Sequence, residues 1–290
     1  MKFVSWLLLF PAMISAAPVV IDDAALVSSF QQGIGAFADS GEHPEASEFS
    51  KQVEKAPATA SIGPLDHPTA QHPADAVFLI GSVYKCGKCE HWHPGGIATA
   101  WALTPDGLMV TNHHVFENAK GAAMGVCDRK GRTYPITGVV AADKAGDVAL
   151  FRVKAAGLPV LRLGPDAEVG ETVRVISHPQ RNFYMQTSGE VARYHHSPGK
   201  NDEPGAVWMS ITADYAKGSS GGPVLNARNE VVGMVSSTRS IYYDSPNGKP
   251  KGPLQMVLKN CVPVSAIRPM LGEKSPRPET KSEEPVYPEG

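Results

Sequence analysis

The sequence predicts an all-β protein of two six-stranded antiparallel β-barrels, followed by a short C-terminal helix. Twelve short β-rich runs occur between residues 76 and 259, six on each side of a linker at 158–170. The 28 glycines and 25 prolines concentrate in turns and at the chain ends, which favours short strands over long helices. Closing each set of six strands into a barrel removes the sheet edges that would otherwise be exposed.

The N-terminus has the pattern of a secretory signal at residues 1–17. Lys2 gives a short positive region, residues 3–14 an apolar core, and residues 15–17 a small-residue cleavage site. The apolar stretch is short for a bilayer span, and no cysteine for a lipid anchor follows it. A partly buried N-terminal helix is the alternative. We expect a secreted or periplasmic protein with no stable membrane span once the signal is removed.

Residues 18–75 carry scattered Pro, Ala, Ser, Glu and His without a sustained period. We expect a flexible leader there, with an isolated helix conceivable near 23–37. The tail at 273–290 is charged, rich in proline and almost without apolar residues, so we expect it to be disordered.

The β-rich runs define one domain at 76–272, with barrels at about 76–155 and 170–260 and a helix at 262–271. The first six runs are AVFLIGSVY (76–84), GIATAWALT (96–104), GLMVT (107–111), GAAMGVC (121–127), RTYPITGVVAA (132–142) and DVALFRV (147–153). The second six are ETVRVIS (171–177), NFYMQTSGEVARY (182–194), AVWMSIT (206–212), PVLN (223–226), EVVGMVSS (230–237) and GPLQMVLK (252–259).

The sharpest local signal for chemistry is KGSSGGPVLN at 217–226. Its glycines allow close backbone approach and unusual dihedrals. The backbone N–H groups of Gly218 and Ser220 could then converge on one point and stabilise a developing oxyanion. A Gly-Ser turn without a catalytic role is equally compatible with this segment alone.

The order of histidine and serine along the chain narrows the chemistry. GSSGG also fits the G-x-S-x-G elbow of α/β-hydrolases, in which the histidine follows the serine. No histidine follows Ser220, so the elbow is excluded. His113 or His114 remains as a base ahead of the serine, and Asp143 or Asp147 as the carboxylate that orients it. Asp147 precedes an apolar run and can be buried, whereas Asp143 lies in a polar turn.

Three segments in this order resemble the motifs of trypsin-like serine peptidases, closest to the bacterial HtrA/Deg group. They are TNHHV (111–115), DVALF (147–151) and GSSGGPV (218–224), and LPVLRLG (158–164) is similar to the segment that joins the two barrels in that group. The resemblance implies a chymotrypsin-like fold and an exported serine endopeptidase. It implies His114 as base, Asp147 as orienting carboxylate, Ser220 as nucleophile, and Gly218 and Ser220 as oxyanion-hole donors. It implies no cofactor and no catalytic metal.

Two departures from the related peptidases matter, one from the digestive enzymes and one from the HtrA group. Ser219 stands where those enzymes carry an aspartate that receives a freshly cut N-terminus, which argues against that activation route. Only 70 residues follow Ser220, so we expect no C-terminal PDZ domain of the kind common in the HtrA group.

The resemblance also gives four candidate substrate-pocket residues: Asp214, Ser236, Ser237 and Thr238. Asp214 lies six residues before Ser220, the spacing of a pocket aspartate that selects basic side chains, although a structural acidic residue is the alternative. Thr238 stands where a glycine opens the trypsin pocket. A preference for Lys or Arg therefore stays open.

The four cysteines of an exported chain suggest up to two disulfides, whose pairing the sequence does not fix. Cys86 and Cys89 lie in CGKCEHWH, together with His91 and His93, at the turn between the first two strands. A disulfide, a zinc site and free thiols are all open there. If these two cysteines are occupied together, Cys127 and Cys261 are left to each other or unpaired.

The charge and composition bear on partners. A net charge of −2 without a long basic run argues against binding nucleic acid. The partners that the resemblance implies are polypeptide substrates. The sequence does not indicate an oligomeric state. A non-catalytic peptide-binding or chaperone-like module on the same fold is the alternative from another class, and an esterase is the alternative enzyme.

Overall fold

The structure, a computed structural model, describes residues 18–62, 65, 67–117, 119–198, 204–243 and 252–273. The predicted signal at 1–17 and the tail from residue 274 onward lie outside these ranges. Among the helices of the described ranges, none combines the length and apolar character that a membrane crossing requires.

Twelve strands form two barrels. The first barrel contains β1 (Val77–Lys85), β2 (Trp92–Ala102), β3 (Leu108–Thr111), β4 (Ala123–Cys127), β5 (Thr133–Asp143) and β6 (Val148–Val153). The second contains β7 (Thr172–Ser177), β8 (Met185–His196), β9 (Val207–Ile211), β10 (Pro223–Leu225), β11 (Val231–Tyr242) and β12 (Leu254–Pro263).

Both barrels are closed and antiparallel, with strand orders β1-β2-β3-β6-β5-β4 and β10-β11-β12-β9-β8-β7. The predicted fold class is confirmed, and each predicted run overlaps one strand, although several strand ends differ by four residues or more. The chain ends its described part with helix α4 (Val264–Ile267) and a 3₁₀ turn at Arg268–Leu271, where the C-terminal helix was expected.

The expectation of a flexible leader is wrong for residues 23–55, which form two helices packed on the first barrel. Helix α1 (Asp23–Ser40) is capped at its N-terminus by Asp22, whose side chain accepts a hydrogen bond from the Ala25 N–H. Helix α2 (Ala46–Lys55) follows it. The physical reason is an apolar stripe on α1 at Leu26, Phe30 and Ile34, spaced at four residues and buried.

Helix α1 covers the outer face of β1. The alternate residues Phe78 and Ile80 point into the first barrel, whereas Leu79 and Val83 pack against α1. The run is therefore apolar on both faces, and an uncovered outer face would leave Leu79 and Val83 in water. The approach is close, because a Cβ on Gly35 of α1 would lie 2.2 Å from Trp92 of β2.

Helix α2 braces the short helix α3 (His113–Glu117), which follows β3. The rings of Phe49 and Phe116 lie 6.2 Å apart, and the Ser50 hydroxyl donates to the Glu117 carbonyl at 3.0 Å. The segment between α2 and β1 is also bound to the fold through the Ala60 N–H, which donates to the Met270 carbonyl at 2.8 Å. The segment once expected to be free thus supports the part of the chain that carries the histidine pair.

Candidate active site

Three predicted side chains meet in the cleft between the barrels. His114 lies on α3, directly after the last strand residues of β3. Asp147 lies at the turn between β5 and β6, and Ser220 lies in the turn before β10. The apolar core that joins the barrels includes Trp101 and Met234, so the two halves of the site are held by packing.

The three side chains form a hydrogen-bonded chain. The His114 Nδ1 atom lies 3.0 and 2.9 Å from the two carboxylate oxygens of Asp147, and Nε2 lies 3.0 Å from the Ser220 Oγ atom. Because a carboxylate only accepts, the proton of the neutral imidazole belongs on Nδ1. The lone pair of Nε2 then faces the serine hydroxyl, as a base requires.

Asp147 is held by several donors at once. It adopts a left-handed conformation with φ of 56°, which Asp tolerates better than most residues. Its Oδ1 atom accepts from the His114 backbone N–H at 3.1 Å, and its Oδ2 atom accepts from the Ser236 hydroxyl at 2.5 Å. The Asn112 side chain donates to its carbonyl at 3.0 Å. The carboxylate therefore has one fixed orientation, toward the histidine.

The serine turn requires glycine where the first barrel touches it. A Cβ on Gly221 would lie 2.0 Å from the Thr99 carbonyl oxygen. Thr99 of β2 also donates its N–H to the Ser220 carbonyl at 2.8 Å and its hydroxyl to the Gly218 carbonyl at 2.9 Å. One buried residue of the first barrel thus fixes the nucleophile turn of the second.

The orientation of two backbone N–H groups follows from the planarity of the peptide bond. The Lys217 carbonyl accepts from the Gln180 N–H at 2.7 Å, so the Gly218 N–H in the same peptide points the opposite way. The Ser219 carbonyl accepts from the Gly222 N–H at 2.8 Å, which fixes the Ser220 N–H likewise. Neither N–H donates to another backbone group in the described part of the chain, so both are available to an oxyanion.

The predicted pocket residues divide into two groups. Ser236 is buried, and its hydroxyl donates a hydrogen bond to the Asp147 carboxylate. Ser237 and Thr238 are exposed on β11. Asp214 has a side chain that is 84% exposed and pairs with Lys259 at 2.7 Å, so its charge is already compensated by a cation.

An open cleft of about 470 Å³ adjoins the nucleophile. Its wall is formed by His114 and Ser220 together with mostly apolar or small residues of β1, β2 and β4, among them Tyr84, Ile97 and Met124. None of Asp214, Ser236, Ser237 and Thr238 lines this cleft. The space beside Ser220 is therefore an open cleft whose surface is mostly apolar, with Lys120 and Lys217 also in its lining.

His113 faces away from this chemistry. It is 2% exposed, and its Nδ1 atom lies 3.8 Å from the Glu117 carboxylate on the same helix. Burial lowers its pKa, because desolvation disfavours the charged ring. Of the two adjacent histidines, His113 therefore lies in the core and His114 in the cleft.

All four cysteines are free in the structure, so neither of the disulfides that the sequence left open is present there. Cys127 packs under α1 and Cys261 lies inside the second barrel, so these two cannot pair. Cys86 and Cys89 are exposed, with their Sγ atoms 3.5 Å apart. The ligand atoms of these two and of His93 lie within 4.8 Å of one another, whereas His91 is not part of the group.

Sequence reasoning missed several residues that support the serine turn. Thr99 and His178 are the main ones. The His178 carbonyl would lie 2.4 Å from a Cβ on Gly218, and its Nδ1 atom accepts the Tyr184 N–H at 3.1 Å. Burial lowers the pKa of His178 to about 3. A threonine inside a strand and a histidine before a proline carry no distinctive sequence pattern, so only the tertiary contacts reveal them.

Comparison with known proteins agrees with this geometry. Residues 98–234 match the trypsin-like peptidase domain. The chain is 34% identical to a probable periplasmic serine endoprotease DegP-like of Ectopseudomonas mendocina, over 51% of this chain and 32% of that protein. It is 30% identical to the putative serine protease HhoB of Synechocystis, over 50% and 35% of the two chains. It is 32% identical to the serine protease HTRA1 of Xenopus laevis, over 54% and 35%. The matched part spans about a third of the length of these relatives.

Proposed function

We propose that this chain, which contains a trypsin-like peptidase domain, is a serine endopeptidase that hydrolyses peptide bonds through an acyl-enzyme intermediate. The observation that carries the proposal is the hydrogen-bonded chain from Asp147 through His114 to Ser220, with both contacts of the imidazole at about 3 Å. Two N–H groups beside the serine have fixed directions, which completes the set of groups that acyl transfer needs.

The mechanism follows from the atoms in place. The Ser220 Oγ atom attacks the carbonyl carbon of the scissile bond while Nε2 of His114 takes its proton. Asp147 stabilises the imidazolium and holds the ring in position. The imidazolium then returns the proton to the leaving amine, and a water molecule repeats the sequence on the ester.

The tetrahedral oxyanion of each step would accept from the N–H groups of Gly218 and Ser220. One such donor contributes about 10²–10³ in rate in related sites. The donors are fixed in advance by the Gln180 N–H and the Gly222 N–H, so little reorganisation accompanies the reaction.

The substrates we propose are extended or unfolded polypeptides in an exported compartment. The names of several relatives describe periplasmic endoproteases, and the N-terminus of this chain has the pattern of an export signal. The open cleft beside Ser220 supports an extended chain as substrate. Secretion or periplasmic residence follows from the same signal.

The test uses the mature chain with casein as an unfolded substrate and a fluorophosphonate probe as a label for an activated serine. We expect wild-type protein to digest casein and to take up the probe. The variants Ser220→Ala and His114→Ala should lose both. His113→Ala is the matched control and should retain most of the labelling, because its ring is buried beside Glu117 and the ring of His114 is the one that contacts Ser220.

Three outcomes would overturn the proposal. Digestion of casein by Ser220→Ala at the wild-type rate would place the nucleophile elsewhere. An unlabelled, folded wild-type chain would favour the non-catalytic peptide-binding module. Turnover of simple esters without turnover of peptides would instead identify an esterase.

A further inference from the structure

The β1–β2 hairpin carries a cluster of two thiols and one imidazole outside the cleft beside Ser220. The Sγ atoms of Cys86 and Cys89 lie 3.5 Å apart, and the Cys89 Sγ atom lies 3.0 Å from Nε2 of His93. All three ligand atoms lie within 4.8 Å of one another. The proposed peptidase chemistry uses none of them.

We propose that Cys86, Cys89 and His93 bind a zinc ion. Zinc takes thiolate sulfur at about 2.3 Å and imidazole nitrogen at about 2.0–2.1 Å in tetrahedral geometry. Those bond lengths place two sulfurs about 3.8 Å apart and a sulfur and a nitrogen about 3.6 Å apart. The separations of 3.5 and 3.0 Å in the structure need only small adjustments to reach these values.

The local backbone is built for a Cys-x-x-Cys ligand pair. Gly87 has φ of 73°, a left-handed conformation that turns the chain so that Cys89 returns to Cys86. The Lys88 N–H donates to the Cys86 Sγ atom at 3.4 Å. Such a donor stabilises negative charge on a ligating sulfur. Each thiol releases its proton to solvent when the metal binds.

The imidazole has a fixed place beside the thiols. The ring of Tyr84 lies beside the ring of His93, with their centroids 5.6 Å apart. A local disulfide would need no imidazole, whereas here Nε2 points at a sulfur atom. His91 lies outside the cluster, and within the described residues no fourth side chain joins it. Because both cysteines are exposed, water can occupy the fourth position.

The site would fasten the hairpin to helix α1. Trp92 lies between Cys89 and His93 in sequence, and its indole N–H donates to Asp39 of α1 at 3.1 Å. The Gln31 side chain of α1 donates to the Trp92 carbonyl at 2.9 Å. A metal that fixes the loop therefore also fixes the tryptophan against which α1 packs.

The test measures metal binding directly on the mature chain. Wild-type protein is reduced, freed of metal, and titrated with zinc and with cobalt(II), whose thiolate complexes absorb by charge transfer. We expect one zinc per chain, the cobalt charge-transfer band, and a higher melting temperature in zinc. Cys89→Ser and His93→Ala should lose stoichiometric zinc binding. His91→Ala, in the same loop, is the matched control and should bind as wild type does.

Several results would overturn the proposal. One is the absence of a zinc-dependent shift and of the cobalt band in reduced, folded wild-type protein. Another is loss of binding in His91→Ala equal to that in His93→Ala. A third is a Cys86–Cys89 disulfide that forms even when zinc is present during oxidation. Fluorophosphonate labelling of Ser220 is measured in parallel, so failure of the zinc site and failure of the peptidase proposal are distinguishable.

Discussion

Replacing Asp147 by asparagine tests whether this carboxylate orients the base. The Oδ1 atom accepts two N–H donors of His114, and the Oδ2 atom accepts the Ser236 hydroxyl and faces the same ring nitrogen. An asparagine keeps one acceptor oxygen and places an NH₂ group at the other position. That group donates to Nδ1, so the ring proton moves to Nε2, where it faces Ser220 and blocks proton transfer.

We expect kcat to fall by about 10⁴-fold, the size of effect that the wrong tautomer causes in this type of triad. That factor corresponds to about 5 kcal/mol of transition-state stabilisation. KM should change little, because Asp147 lies behind the histidine and does not line the cleft. The assay is steady-state turnover of an unfolded fluorogenic substrate, with near-UV circular dichroism to establish that the variant is folded.

Asp143→Asn is the matched control. Asp143 lies four residues earlier and, among the residues that the structure describes, accepts only the N–H groups of Ala145 and Gly146, at 3.0 Å each. An asparagine oxygen serves the same turn, so kcat should stay within about twofold of wild type. The reasoning is refuted if folded Asp147→Asn keeps more than about a tenth of wild-type kcat, against the drop expected for a triad. Equal losses in the two variants would refute it as well.

Three further predictions concern the surroundings of the site. Asp23→Asn removes the charge from the α1 side chain that accepts the Phe183 N–H at 3.0 Å, and should destabilise the fold by about 1 kcal/mol in urea and speed amide exchange at that N–H. Asp22→Asn should change neither, because asparagine caps a helix as well as aspartate. His178, whose pKa burial lowers to about 3, binds a proton in the unfolded chain below about pH 6.5 but not in the native one. When the pH is lowered from 7 to 5, this difference should reduce the free energy of unfolding of the wild type by about 2 kcal/mol. The His178→Gln variant should not show this reduction. Asp214→Asn should change the ratio of kcat/KM for substrates with arginine or leucine directly before the scissile bond by less than about threefold, because the exposed carboxylate is already paired with a lysine.

Each of these has a contradicting result. Equal amide exchange at the Phe183 N–H in the two aspartate variants would show that the hydrogen bond from Phe183 to Asp23 does not stabilise this segment. The same pH dependence in wild type and His178→Gln would mean that another group titrates. In Asp214→Asn, kcat/KM could fall about tenfold or more for arginine substrates alone, which corresponds to about 1.4 kcal/mol or more. That result would place Asp214 in the substrate pocket.

The sequence predicted the barrels well because strand periodicity and turn composition are local properties. All twelve strands fall on the predicted runs, and the linker at 158–170 separates the two sets. The leader was misjudged because its apolar stripe is diluted by glycine and serine. The signal that it is covered lies in β1, where Val77 to Ile80 are apolar without alternation and so need cover on both faces.

The sequence by itself determined the candidate site of this protein: the order of histidine, aspartate and serine, and the glycines around Ser220. Those features depend on residue type and on order along the chain, so they can be read without knowledge of the tertiary structure. Only the tertiary structure decided which neighbours hold them. Thr99 fixes the serine turn across the barrel interface, Ser236 holds Asp147, and α2 braces the helix of His114. These are contacts between residues distant along the chain, and their side chains are common types whose roles depend on what the fold places opposite them.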